Sequence, residues 1–200
     1  MGNRRQEVIL AAIKVFSEKN YNKATTAEIA REARVSEGTI YKHFASKKEL
    51  FLECARYIEN QLFTRYKKVH TVYKNQHLEY LRRVALEYTS FVYENPTMSK
   101  FLAFMLTNTF DPEILEELRQ FIDANLKTTA YMLNGAQGTG MLSPSKDIQA
   151  ASWFYVGGYF TIVLMMELGV GKKECLEIVE NMLANTFQYP AKEVEEQTIK

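Results

Sequence analysis

Apolar residues recur along this chain at intervals of three and four nearly throughout, the spacing of one face of an α-helix. Ile9, Ala12, Ile13 and Phe16 form the first such stripe. They predict a helix over 4–19 that closes at Asn20, a residue tolerant of a left-handed C-cap. Thr25-Thr26-Ala27-Glu28 has the form of a capping box and opens a short second helix with Ile29, Ala30 and Ala33 inward. Ser36 caps a third helix over 37–44. Ser46-Lys47-Lys48-Glu49 is a second capping box, from which a long helix runs to about Tyr73. Phe51, Ile58, Leu62, Tyr66, Val69 and Tyr73 lie along its apolar stripe. Further helices are predicted over 78–93, stopped before Asn95-Pro96, and over 97–109. Another runs over 112–133, with Asp111 as cap and Pro112 at the first position. The last two span 145–168 and 172–187. Gly135, Gly138, Gly140 and Pro144 mark the only long connector. No strand-type alternation survives. The fold class is therefore all-α, about nine helices, divided into a small domain over 1–46, a connecting helix over 47–74, a larger domain over 75–187 and a flexible acidic tail over 188–200.

With 200 residues and 46% hydrophobic composition, the chain can bury a substantial core. Its net charge of +1 argues against a polyanion partner only when taken whole. Residues 1–74 hold 15 Lys/Arg against 8 Asp/Glu, net +7, and the remainder is net −6. That asymmetry points to nucleic-acid binding at the N-terminal end. Cys54 and Cys175 make no disulfide framework, and His43, His70 and His77 have no metal-ligand spacing with them. No metal and no cofactor is expected, and the setting suggested is reducing and cytoplasmic. The start, Met1-Gly2-Asn3-Arg4-Arg5, has no apolar signal core. The uncharged stretch Ile148 to Met166 reads as a helix buried on several sides, not as a membrane span. No nucleophile stands at motif spacing from a base and an orienting group, so an enzyme is not expected.

Three short helices with a tight turn between the second and third describe a helix-turn-helix unit. If Ile40 and Phe44 point inward, one turn apart, the outward face of the third helix carries Gly38, Thr39, Tyr41 and Lys42, with His43 at its edge. Gly38 permits close approach of a duplex, while Thr39, Tyr41, Lys42 and His43 supply donors for phosphate or base edges. Thr25 and Thr26 at the second helix, and Lys47 and Lys48 at the start of the long helix, sit where free backbone N–H groups also favour phosphate.

The stretch from Ile9 to Phe51 resembles the DNA-binding domain of the TetR family of transcriptional regulators. The matching residues are Ala11-Ala12, Phe16, Tyr21, Thr25-Thr26-Ala27-Glu28-Ile29-Ala30, Val35-Ser36-Glu37-Gly38-Thr39-Ile40-Tyr41-Lys42-His43-Phe44, then Lys47, Glu49, Leu50 and Phe51. The chain departs from the family's common glycines at Asn20 and Arg34. A left-handed Arg34 would cost about 1 kcal/mol relative to glycine. The resemblance implies a homodimer on a palindromic double-stranded operator, and a helical second domain for ligand binding and dimerisation. It also implies release of the operator by a small effector, hence a repressor. The dimer interface would be built by the helices over 145–168 and 172–187. The first has more apolar surface than one face can bury.

Phe101, Phe104, Met105, Phe121, Met132, Trp153 and Tyr159 are the expected lining of an apolar effector pocket. The effector expected is apolar or amphipathic, or cationic if Glu87, Asp123 or Glu167 faces inward among aromatic rings. The rival reading is a helical interaction protein whose DNA binding is non-specific or lost, acting through its acidic C-terminal surface.

Overall fold

The computed structural model describes residues 4–107 and 110–188. Among these there are nine helices and no strand: α1 (Arg4–Lys23), α2 (Thr26–Glu32), α3 (Glu37–His43), α4 (Lys47–Tyr73), α5 (His77–Glu94), α6 (Pro96–Thr107), α7 (Pro112–Gly138), α8 (Ile148–Glu167) and α9 (Lys172–Phe187). The acidic tail beyond Gln188 and the expected end of α6 at Thr109 lie outside the described residues. The packing divides the chain into two compact units. One comprises Met1–Phe63 with Asn95–Phe121, the other Thr64–Glu94 with Ile122–Lys200. These boundaries differ from a division at 46 and 74, because α6 and the start of α7 pack with the N-terminal helices.

Local chemistry accounts for most helix ends. Thr25 accepts from the Glu28 N–H while Glu28 accepts from the Thr25 N–H, the reciprocal capping box. Ser36 accepts from the Thr39 N–H at 3.2 Å. Ser46 accepts from the Glu49 N–H at 3.0 Å, but the Glu49 carboxylate takes the N–H of Ala45 instead of returning to Ser46. Asp111 accepts from the N–H groups of Glu113 and Ile114, opening α7 ahead of its proline.

Two expectations are corrected. α1 does not stop at Asn20 but continues to Lys23. This longer helix carries Tyr21, whose ring meets Phe51 at 5.1 Å. Likewise, Gly135 and Gly138 do not belong to a connector: α7 runs through both. A glycine inside a helix costs about 1 kcal/mol relative to alanine, which tertiary packing can override. At Gly135 the reason is proximity, since a Cβ there would fall 2.3 Å from Nε2 of His77. The connector is confined to 139–147 and turns at Gly140, whose φ is +71°.

In the first unit α1 packs on α2, α3 and α6. Phe16, Phe51 and Phe101 form its centre, all three fully buried, with Phe51 and Phe101 4.6 Å apart. Burying each such ring is worth about 1.5–3 kcal/mol. In the second unit α5, α8 and α9 pack against one another. Tyr155 of α8 donates to the Leu81 carbonyl at 2.7 Å, and Arg82 of α5 meets Glu180 of α9 in a buried ion pair. α8 is long and apolar enough to cross a membrane by length and composition, yet Ala151, Tyr155, Tyr159 and Ile162 are buried within the unit. Its opposite side leaves Trp153, Phe154 and Leu164 more than half exposed.

Candidate nucleic-acid interface

α2 and α3 meet at a turn closed by Arg34, whose φ of 55° is left-handed. The Val35 N–H reaches back to the Ala30 carbonyl at 2.9 Å, as in a Schellman ending. Arg34 occupies the position where glycine is free of strain. Arg34→Gly is expected to raise the stability by up to about 1 kcal/mol, read by urea unfolding. A loss of stability would mean that the arginine side chain contributes more than the strain it imposes.

Behind this turn, Ile29, Ile40 and Phe44 are buried, and the Arg5 guanidinium lies 5.2 Å from the centre of the Phe44 ring. Lys14–Glu32 and Lys19–Glu28 ion pairs, at 2.7 and 2.6 Å, tie α1 to α2. With the inward face of α3 so occupied, its other residues face out. Gly38 is exposed, and a Cβ there would meet only Ser36 Oγ at 3.7 Å, so nothing within the chain demands glycine. Thr39 Oγ1 lies 3.0 Å from Ser36 Oγ. Tyr41 is 52% exposed, and its hydroxyl lies 3.2 Å from Thr26 Oγ1. Thr26 in turn donates to Glu37 at 2.8 Å. Lys42 is exposed and has no ion-pair partner among the described residues, while His43 is half-buried with its ring edge-on to Phe44.

The remaining expected contacts are committed within the unit. Thr25 is used as the cap of α2. Lys47 donates to the carbonyls of Tyr21 and Ala24 at 2.9 and 3.0 Å, with its ammonium 4.5 Å from the centre of the Tyr21 ring. Lys48 pairs with Glu113 at 2.7 Å and Asp111 at 3.4 Å. Glu113 raises the Lys48 pKa above its ordinary value, and the Asp111 carboxyl is held below its own by backbone donors and Lys48 in spite of desolvation. The Thr26–Glu37–Tyr41 network was not expected. Its signal was the four-residue spacing of Glu37 and Tyr41, which puts both on one side of α3.

The expected ligand residues fall into two groups. Phe101, Phe104, Met105 and Phe121 belong to the first unit, where Phe101 is packed against Phe16 and Phe51. Met132, Trp153 and Tyr159 belong to the second: Met132 and Tyr159 are buried, Trp153 is exposed. Glu87 lies 3.8 Å from Arg65, and Asp123 and Glu167 are exposed.

A third helix with a buried apolar side and an exposed side of donors, on an all-α scaffold, defines the class of the N-terminal element: a helix-turn-helix unit. Residues 8–54 match the family described as bacterial regulatory proteins, tetR family. Over 88 residues the chain is 31% identical to the uncharacterized HTH-type transcriptional regulator YuxN of Bacillus subtilis, covering 44% of this chain and 30% of YuxN. Over 129 residues it is 30% identical to the nucleoid occlusion factor SlmA of Vibrio campbellii, covering 62% of this chain and 65% of SlmA. The chain thus spans less than two thirds of the length of these relatives. Its fold is that of the transcriptional regulator FadR of Bacillus subtilis, solved in complex with stearoyl-CoA. The TM-score is 0.76 at 17% identity, over 91% of this chain and 97% of FadR.

Proposed function

We propose that the chain is a ligand-responsive transcriptional repressor that binds a palindromic operator as a homodimer and leaves it when a small apolar or amphipathic effector binds. The observation that carries this is α3: Ile40 and Phe44 buried, with Gly38, Thr39, Tyr41 and Lys42 outward. In this reading those four residues and His43 meet the major groove, Thr26 steadies Tyr41, and Thr25, Lys47 and Lys48 hold the elements in place. The exposed apolar side of α8 suits a second copy of the chain, which would place two recognition helices about 34–36 Å apart. Seven residues support an apolar effector by their type: Phe101, Phe104, Met105, Phe121, Met132, Trp153 and Tyr159. So does the fold shared with a protein that holds stearoyl-CoA. Catalysis has no part in the reading.

Selection of bound sequences from random duplexes tests it. The expected result is an enriched palindrome with half-site centres about 10 base pairs apart. No enriched palindrome overturns the proposal.

One observation favours a second reading. The similarity to SlmA, named a nucleoid occlusion factor, extends well beyond the helix-turn-helix residues. A protein that acts by occupying DNA and engaging another protein would need no effector. Preference for its best site over random duplex by less than about tenfold would favour that reading, since specific binders run about 10³ to 10⁷.

A further inference from the structure

Glu37 is the first residue of α3, and it is exposed. The acids of the neighbouring helix are neutralised, Glu28 by Lys19 and Glu32 by Lys14. Glu37 meets no cation among the described residues. One of its oxygens, Oε2, accepts from the Thr26 hydroxyl at 2.8 Å, and the other, Oε1, has no hydrogen-bond partner among the same residues. Thr26 has a single hydroxyl proton and gives it to Glu37. In the 3.2 Å contact between Thr26 and Tyr41 the phenol is therefore the donor. Two hydroxyl protons thus run inward, one after the other, toward one carboxylate. The network holds Glu37 in place and leaves Oε1 to solvent as a charged acceptor.

Charge and donor inventory decide what such an acceptor can meet on a duplex. A phosphate repels a carboxylate, so an unpaired acid on a DNA-facing surface lowers affinity for every sequence unless it gains a contact of its own. In helix-turn-helix docking the first residues of the recognition helix reach base edges, while the helix before it crosses the backbone. Glu37 stands at that end of α3. The donors a major groove presents are the N4 amino group of cytosine and the N6 amino group of adenine. Adenine sets its N7 lone pair beside the amino group, which opposes a carboxylate oxygen, whereas the amino group is the polar group of cytosine's own edge. We propose that Glu37 is a specificity-determining residue: Oε1 accepts from N4 of one cytosine in each half-site of the operator. Thr26, bonded to the other oxygen, is its positioning residue. This rests on the reading of the chain as a DNA-binding regulator and assigns one base of its site.

Glu37→Gln tests the assignment, because an amide both donates and accepts and so suits N7 and N6 of adenine. The natural chain and the variant, both full length, are carried through the same selection from random duplexes. Each is then titrated against the enriched palindrome and against single-position changes made in both half-sites. For the natural chain, one cytosine per half-site is expected whose replacement weakens binding at least about tenfold. Glu37→Gln is expected to exchange that preference for adenine at the same position. Loss of the charge strengthens binding to all duplexes alike, and a ratio between duplexes cancels that gain. N4-methylcytosine at the position carries a methyl group in place of the groove-facing proton, and is expected to weaken the natural chain at least about tenfold. Thr26→Val is expected to cut the cytosine preference at least about threefold and to leave the preferences at other positions as they were. Identical base preferences in the natural chain and Glu37→Gln overturn the proposal, as does undiminished binding to the N4-methylcytosine duplex. An unchanged cytosine preference in Thr26→Val overturns the positioning role. If both chains enrich the same palindrome, the assignment of Glu37 is wrong and the regulator reading stands. If the natural chain enriches none, the reading itself falls.

Discussion

Tyr41→Ala together with Lys42→Ala is expected to leave the fold intact and to weaken specific duplex binding at least about thirtyfold. Each side chain that reaches a base edge or phosphate is worth about 1–3 kcal/mol, so two lose about 2–6. Neither substitution touches the core, because α3 is anchored by Ile40 and Phe44 on its other side. Among the described residues the internal contact at stake is the 3.2 Å approach of Tyr41 to Thr26, and Thr26 keeps its bond to Glu37. Titration of the selected operator, with far-ultraviolet circular dichroism as the control for folding, measures both effects. A loss under about threefold, in a variant as helical as the natural chain, would exclude this face of α3 from the interface.

Glu180→Leu is expected to cost about 3–5 kcal/mol of stability, a large part of the roughly 5–15 kcal/mol that holds a protein together. Arg82 and Glu180 are both almost wholly buried, and the guanidinium Nε lies 2.7–2.8 Å from both carboxylate oxygens. Removing the acid strands a buried cation with Glu79, which also serves Arg83 at 2.8 Å. Adding Arg82→Met to Glu180→Leu should recover most of the loss, since two apolar side chains need no partner and Glu79 retains Arg83. Urea unfolding of the single and double variants decides the matter. A double variant no more stable than the single one would mean that the pair is needed for more than mutual neutralisation.

The helices and their caps were legible because their causes are local. Thr25 with Glu28, Ser36 with Thr39, and Asp111 before Pro112 are each decided within four residues. The outward face of α3 followed from Ile40 and Phe44 alone. Gly135 misled for an equally physical reason: its partner, the His77 ring, lies 58 residues away in the chain, and a glycine without visible cause reads as a break. Lys47 and Lys48 have exposed-looking positions in a first turn, but one reaches back to Tyr21 and Ala24 and the other to Asp111 and Glu113. Such pairings are made by tertiary structure. Tyr66 was visible as a member of the apolar stripe of α4. A tyrosine at such a position raises the question of where its hydroxyl goes, and tertiary packing alone decides it.

The acidic start of α7 has a consequence for the thermodynamics of salt. A lysine held by two carboxylates has surrendered its counterions at folding, before any duplex arrives. Binding of a polyanion draws much of its free energy from the ions that protein cations displace, and weakens as salt rises in proportion to their number. Lys48, bound to Glu113 and Asp111, adds little to that release, whereas Lys42 stands in solvent with its full share still to give.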